Sequence, residues 1–233
     1  LGKRIVVMST GGAASTVISH TSTPMLQLVD FGNQEDSGSV LRGFTLTNQN
    51  ADGIGIWVQN YANPTLQDLV IHHTNTAIRL GYLSLPATQS ISNVTLADND
   101  YGIKMINAGS VILTNSIIWT SSTTPIYLGD NQAQISISYS DILGGEANIS
   151  GQGTVTWGTG NITGSPLFCG AASGDYTLAE NSPCVGTGES SANMGALGVV
   201  CGSMVDDTYW GPWYVDDEGS DNNDGTAGSP FAT

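Results

Sequence analysis

The 233-residue chain carries 20 acidic and five basic residues, a net charge of −15, although only 11 % of its residues are charged. The basic residues are Lys3, Arg4, Arg42, Arg79 and Lys104, and none follows Lys104, whereas 13 of the acidic residues do. That balance excludes nucleic-acid binding and attachment to an anionic membrane surface, because no basic patch exists to neutralise phosphates, and no apolar run approaches the ~18 residues of a membrane-crossing helix.

The polar content is mostly Ser, Thr, Asn and Gly, all poor helix formers, so the composition predicts β structure. Residues 1–37 yield three short strand-like runs, at 5–8, 16–19 and 25–29, joined by longer loops. From residue 38 onward the pattern becomes regular. The segments 43–47, 68–72, 93–97, 115–119 and 139–143 superimpose at steps of 25, 25, 22 and 24 residues. Each of the first four is preceded by a strand-like run (39–42, 64–67, 89–92, 111–114) and followed by another (53–58, 77–80, 102–106, 125–128). Every repeat therefore carries three short strands rich in Ile, Val, Thr and Leu.

A single repeat of this kind cannot bury its own apolar face. Stacking repeats at ~4.8 Å puts equivalent strands in parallel register and makes a continuous core. Two inward ladders are predicted, Phe44-Leu69-Val94 and Leu46-Ile71-Leu96-Ile118, with Asn48, Asn75, Asn99 and Asn107 as left-handed corner residues. A hairpin-built sandwich is disfavoured, because residues 38–143 contain no Asn-Gly and a single Asp-Gly, at Asp52-Gly53. The fold class is thus all-β, a parallel β-helix of roughly seven coils. Three units are expected: coils over 1–143, closing coils and a cap over 144–204, and an acidic tail over 205–233.

Cys169, Cys184 and Cys201 fall in one 33-residue window, without a CxxC pair or a nearby His. A zinc site is therefore excluded. A composition suited to export predicts one disulfide and one free thiol, with all three pairings open.

The succession GKRIVVMSTGG (2–12), VLRGFTLTN (40–48), PTLQDLVI (64–71), ILTNSIIW (112–119), ISYSDILGG (137–145), GNITGSPLFC (160–169), GDYTLAENSPCVGTG (174–188) and NMGALGVVCG (193–202) resembles the right-handed parallel β-helix repeat proteins of bacterial surfaces and secretions, a pectate-lyase-like solenoid. The resemblance implies a right-handed winding and an extracellular or surface location of bacterial type. It also implies that residues 144–204 close the C-terminal end, pinned by the cysteines. The tail, with WYVDDEGSDNNDGT (213–226) followed by SPFAT (229–233), resembles the opening of such a module displaced to its end. Three arrangements follow: an excerpt of a tandem array, a tail folded back on its own first coil, or a tail capping the next copy in a head-to-tail fibre.

Asp216, Asp217, Asp221, Asn223 and Asp224 form an oxygen-rich cluster suited to a hard cation. Ca²⁺ is the expected ion there, although the spacing is not that of an EF-hand. The reading assigns no catalytic residue and no organic cofactor. Arg79 and Lys104, one repeat apart, are neighbours, while Arg42 belongs to a different strand of its repeat. His72 and His73 are expected on opposite faces of a strand. Trp57, Tyr82, Tyr101, Trp119 and Tyr127 are candidates for stacking on sugar rings if they share an exposed face. The favoured function is an extracellular structural module that associates with itself. The alternative is a carbohydrate-active or carbohydrate-binding β-helix.

Overall fold

The computed structural model describes residues 4–20, 26–81 and 88–204, together with the backbone of Val215–Asp216 and Phe231–Ala232. Three parallel sheets of seven, six and six strands run the length of a rod. Each coil contributes one strand to each sheet in turn, for example Thr65–Gln67, Val70–His72 and Thr76–Leu80. Described helical structure is confined to three short 3-10 turns. The rod is a right-handed parallel β-helix of about seven turns, as the repeat pattern predicts.

The expected ladder exists. Ile18, Leu46, Ile71, Leu96, Ile118 and Ile142 pair in consecutive register along the second sheet. From Leu46 onward they are fully buried. Phe44, Leu69 and Val94 stack beside them, each carbonyl accepting the N–H of the residue after its counterpart one coil on. Parallel strands two to six residues long bury little alone, and each fully buried Leu or Ile adds about 1.5–3 kcal/mol. The stack, not the strand, is therefore the stable unit.

The corners differ from expectation. The left-handed residues between the first and second sheets are Gly12, Gly43, Asp68, Asn93, Asn115 and Tyr139, and none of Asn48, Asn75, Asn99 and Asn107 is left-handed. Asn48 and Asn99 have ordinary backbone conformations and are buried, and their amides satisfy the backbone of the preceding coil. Asn99 Oδ1 accepts from the N–H and Oγ1 of Thr74, and its Nδ2 donates to Ile71 O at 2.8 Å. Asn48 Nδ2 donates to Leu26 O. At the Asn99 corner the left-handed residues are His73 and Asp98, and the buried amide of Asn99, which both donates and accepts, holds the bend around His73.

Residues 144–162 complete the winding with the strands Ile149–Gly151 and Thr154–Trp157 and a bridge from Asp141 to Ile162. The chain then turns back along the outer face of the second sheet. Phe168, Tyr176, Leu178 and Met194, within the 144–204 segment expected to close the end of the stack, pack on its side. The reason lies in the sheet itself: Val70, Ala97 and Ile117 point outward and are apolar, so this face needs a cover. Cys169 and Cys201 form the disulfide, which ties the first and third strands of the small sheet of Phe168–Gly170, Asp175–Ala179 and Val199–Cys201. Cys184 is the free, buried thiol.

Candidate functional site

The outer face of the third sheet carries the most distinctive side chains. Asp30, Trp57, Arg79, Lys104, Tyr127 and Ser150 occupy one register position on successive coils. From Trp57 to Tyr127 the column spans three rungs, about 14 Å at ~4.8 Å per rung. The Arg79 guanidinium lies over the Trp57 ring at 4.8 Å. Lys104 Nζ lies over Tyr101 at 4.3 Å and near Tyr127 at 5.8 Å. The two tyrosines meet edge to face, with ring centroids 6.4 Å apart.

Charge makes this column unusual. Among the described residues, the ion pairs are Arg4 with Asp36 and Arg42 with Asp68. Arg79 and Lys104 belong to neither, in a chain with a net charge of −15. Arg79 Nε is buried and has no hydrogen-bond partner. Asp30, two rungs from Arg79, is engaged by the amides of Gln27 and Gln59 at 3.1–3.2 Å. Beside the stripe, Gly81 leaves a space without a side chain, bounded by Trp57 Nε1 and Asn107 Oδ1. The arrangement offers flat rings, two cations and donors along a shallow face. Within the column, Asp30 is the one carboxylate, so the stripe is equipped to bind anionic, ring-bearing ligands rather than to perform paired-carboxylate hydrolysis.

The neighbourhood of Arg79 and Lys104 agrees with the repeat spacing, and Arg42 does stand on another sheet, held by Asp68 at 2.6 Å. Trp57, Tyr101 and Tyr127 share one face, where each is half-buried. Trp119 faces outward on the second sheet and packs beneath the C-terminal segment. Tyr82 lies outside the described residues. The alignment of both cations with Trp57 and Tyr127 was open to view in the spacing, since positions 57, 79, 104 and 127 are separated by one repeat each.

A second cluster sits under the C-terminal segment. Asp141 is fully buried, its Oδ2 accepts from Cys184 Sγ at 3.1 Å, and its Oδ1 has no partner. Burial pushes its carboxyl up to about 7, against a small opposing pull from the thiol. Burial, with the adjacent Asp141, also pushes the Cys184 thiol well above its ordinary value.

The histidines require a correction. His73 has φ +52°, so the strand ends at His72 and the alternation of faces stops there. The two Nδ1 atoms lie 2.6 Å apart, one nitrogen donating to the other. His72 also packs on Tyr176, whose hydroxyl donates to Asp98 Oδ2 at 2.8 Å. Burial, with a contribution from His73, lowers the His72 imidazole to about 4.

Among the described residues, nothing covers the apolar face of the first coil. Ile5, Val6, Val7, Met8, Val17 and Leu26 are exposed. A cavity of about 580 Å³ between Ile5, Val7, Ile18, Val29, Phe31 and Leu41 opens where the inward columns stop.

Asp216, Asp217, Asp221, Asn223 and Asp224, the expected Ca²⁺ ligands, lie outside the described side chains. Among the described residues, no three His, Cys, Asp or Glu side chains are grouped to hold a metal ion, and no helix is long and apolar enough to cross a membrane.

The fold and its ladders define a class, the parallel β-solenoids. The family model of the right handed beta helix region matches residues 33–165, more than half of the chain. The chain belongs to that family. No curated protein and no solved structure matches it.

Proposed function

We propose that the chain is a non-enzymatic β-helix module that binds carboxylate- or sulfate-bearing glycans on the outer face of its third sheet. One observation carries this reading: Arg79 and Lys104, outside the ion pairs of the described residues, stand on adjacent rungs between Trp57 and Tyr127 in one partly exposed column, with Tyr101 beside Lys104. Sugar rings stack on indole and phenol faces, and anionic substituents reach the cations between them. The three-rung span matches a short oligosaccharide lying along the rod axis. Such a role suits a surface or extracellular protein, in keeping with the composition.

Quenching of tryptophan fluorescence by a hexagalacturonate or a heparin hexasaccharide, with maltohexaose as the uncharged control, tests the reading. Saturable binding of an anionic probe, weakened by salt and at least about tenfold by Arg79→Gln or Trp57→Ala, supports it. Equal binding of maltohexaose, or none of any probe, sinks it. Release of unsaturated sugars from the hexagalacturonate assigns turnover in place of binding.

A second reading has its own observation. The first coil, with six exposed large apolar residues, suits a structural module that associates end-on. Its test is the dependence of molecular mass on concentration.

A further inference from the structure

Strand alternation alone would set His72 and His73 apart, but the left-handed backbone at His73 brings its ring to its neighbour's. The two Nδ1 atoms stand 2.6 Å apart, and the rings meet at 76° with centroids 4.9 Å apart. Two nitrogens each about 2.0–2.1 Å from one ion, at angles of about 90–110°, lie about 2.9–3.4 Å from each other. The pair needs to open by less than about 1 Å to share an ion on that geometry.

The surrounding structure holds the pair in place. Thr74, the next residue, gives both its N–H and its hydroxyl to the buried Asn99 amide one coil on. His72 is fixed in register between Thr47 and Ala97, and its ring packs on that of Tyr176 at 5.0 Å. Access remains open, because His73 is exposed and His72 lines a cleft of about 400 Å³ shared with Thr47, Asp175 and Thr177.

The charges nearby favour a cation. Asp98 occupies the left-handed corner one coil beyond His73. Its carboxylate is held by the Tyr176 hydroxyl at 2.8 Å, and its negative charge acts on the His72 ring. The described basic side chains stand elsewhere, Arg4 and Arg42 in ion pairs and Arg79 and Lys104 on the third sheet.

We propose that His72 and His73 chelate one borderline divalent ion, Cu²⁺ or Zn²⁺, through both Nδ1 atoms, with water at the remaining positions. Imidazole donors suit these two ions. The protein supplies two ligands, in keeping with the lack of a three-residue metal cluster among the described residues. In the free protein one Nδ1 carries the proton that the other accepts. On binding, that ring gives up its Nδ1 proton and takes one on Nε2, so both Nδ1 lone pairs face the ion and both rings stay neutral.

The experiment is calorimetric titration of the full chain with ZnCl₂ and with CuCl₂, in excess Ca²⁺ to occupy the carboxylates of residues 216–224. Long-range ¹H–¹⁵N spectra of the imidazoles with ZnCl₂ report which nitrogen is metallated. The variants are His73→Asn, since Asn tolerates the left-handed backbone, and His20→Gln, at the one other histidine of the chain. An unchanged far-UV spectrum verifies that His73→Asn folds. One ion per chain is expected, with Cu²⁺ held more tightly than Zn²⁺. Affinity should fall at least about tenfold in His73→Asn and stay unchanged in His20→Gln. Both Nδ1 resonances should shift with Zn²⁺, and Zn²⁺ should raise the melting temperature of the parent but not of His73→Asn. No binding of either ion at millimolar concentration overturns the site. Binding that survives His73→Asn, or is lost with His20→Gln, places the ion elsewhere and overturns it too. Shifts at Nε2 in place of Nδ1 overturn the chelate geometry.

Discussion

Replacing Asp141 by Asn should alter the pH dependence of folding between pH 4 and 7. The carboxyl is fully buried, accepts one weak bond from the Cys184 thiol and leaves Oδ1 unpartnered. Burial raises it from an ordinary 3.8 to about 7. Between those values the folded chain holds the proton that the unfolded chain has released, so stability falls as pH rises. The raised carboxyl contributes fully below about pH 4, loses about 1.4 kcal/mol per pH unit through the window, and has lost about 4 kcal/mol once the pH passes 7. Asparagine keeps an acceptor for the thiol but cannot ionise. Urea unfolding of the two proteins at pH 4, 5.5, 7 and 8.5 isolates the effect, since the other carboxylates are common to both. The difference in unfolding free energy should shift in favour of Asp141→Asn between pH 4 and 7 by an amount of that order, and level off above 7. Parallel curves across the whole range would refute the assignment of a buried, protonated carboxyl.

Two further outcomes follow from the C-terminal segment. The His72 imidazole, lowered to about 4 by burial and by His73, should show an NMR titration midpoint near 4. Its contribution to stability should be present above the ordinary histidine value and be lost as the pH falls through the window toward 4; a midpoint near 6.5 contradicts its packing against Tyr176. Cys169→Ser opens a link spanning 32 residues and should cost about 3–4 kcal/mol on loop entropy alone. Hydrogen exchange should then rise over residues 166–204 while the coils stay protected, and equal loss of protection throughout would show that the flank and the rod unfold as one.

The rod was legible in the sequence because one apolar position recurs every 22 to 25 residues, as Leu46, Ile71, Leu96 and Ile118. The corners were misread because asparagine's preference for left-handed backbone drew attention to Asn48 and Asn99, whereas the conserved geometry sits one strand earlier. There the positions are filled by residues as different as Gly43, Asp68 and Tyr139. The second sheet announced its cover only indirectly, through outward Val70, Ala97 and Ile117. The partners come from far along the chain: Ala196 N–H donates to Thr95 Oγ1, and Glu189 N–H to Asn115 Oδ1. Residues 166–204 have no repeat, so no period points to those contacts. The histidine pair escaped because one left-handed residue, His73, cancels strand alternation. In the binding stripe the aromatic and basic residues were each visible, but their common register emerges only when equivalent strands are superimposed.

Arg79 offers the most direct test of the ligand face, since its Nε–H is buried without an acceptor. In a ¹⁵N-labelled sample, the Arg79 Nε–H and Trp57 indole N–H resonances should move together, in a saturable manner, as hexagalacturonate or heparin hexasaccharide is added. Backbone signals on the first and second sheets should stay in place. If the Arg79 and Trp57 signals stay fixed while others move, or nothing moves at millimolar ligand, the third sheet is not the binding face.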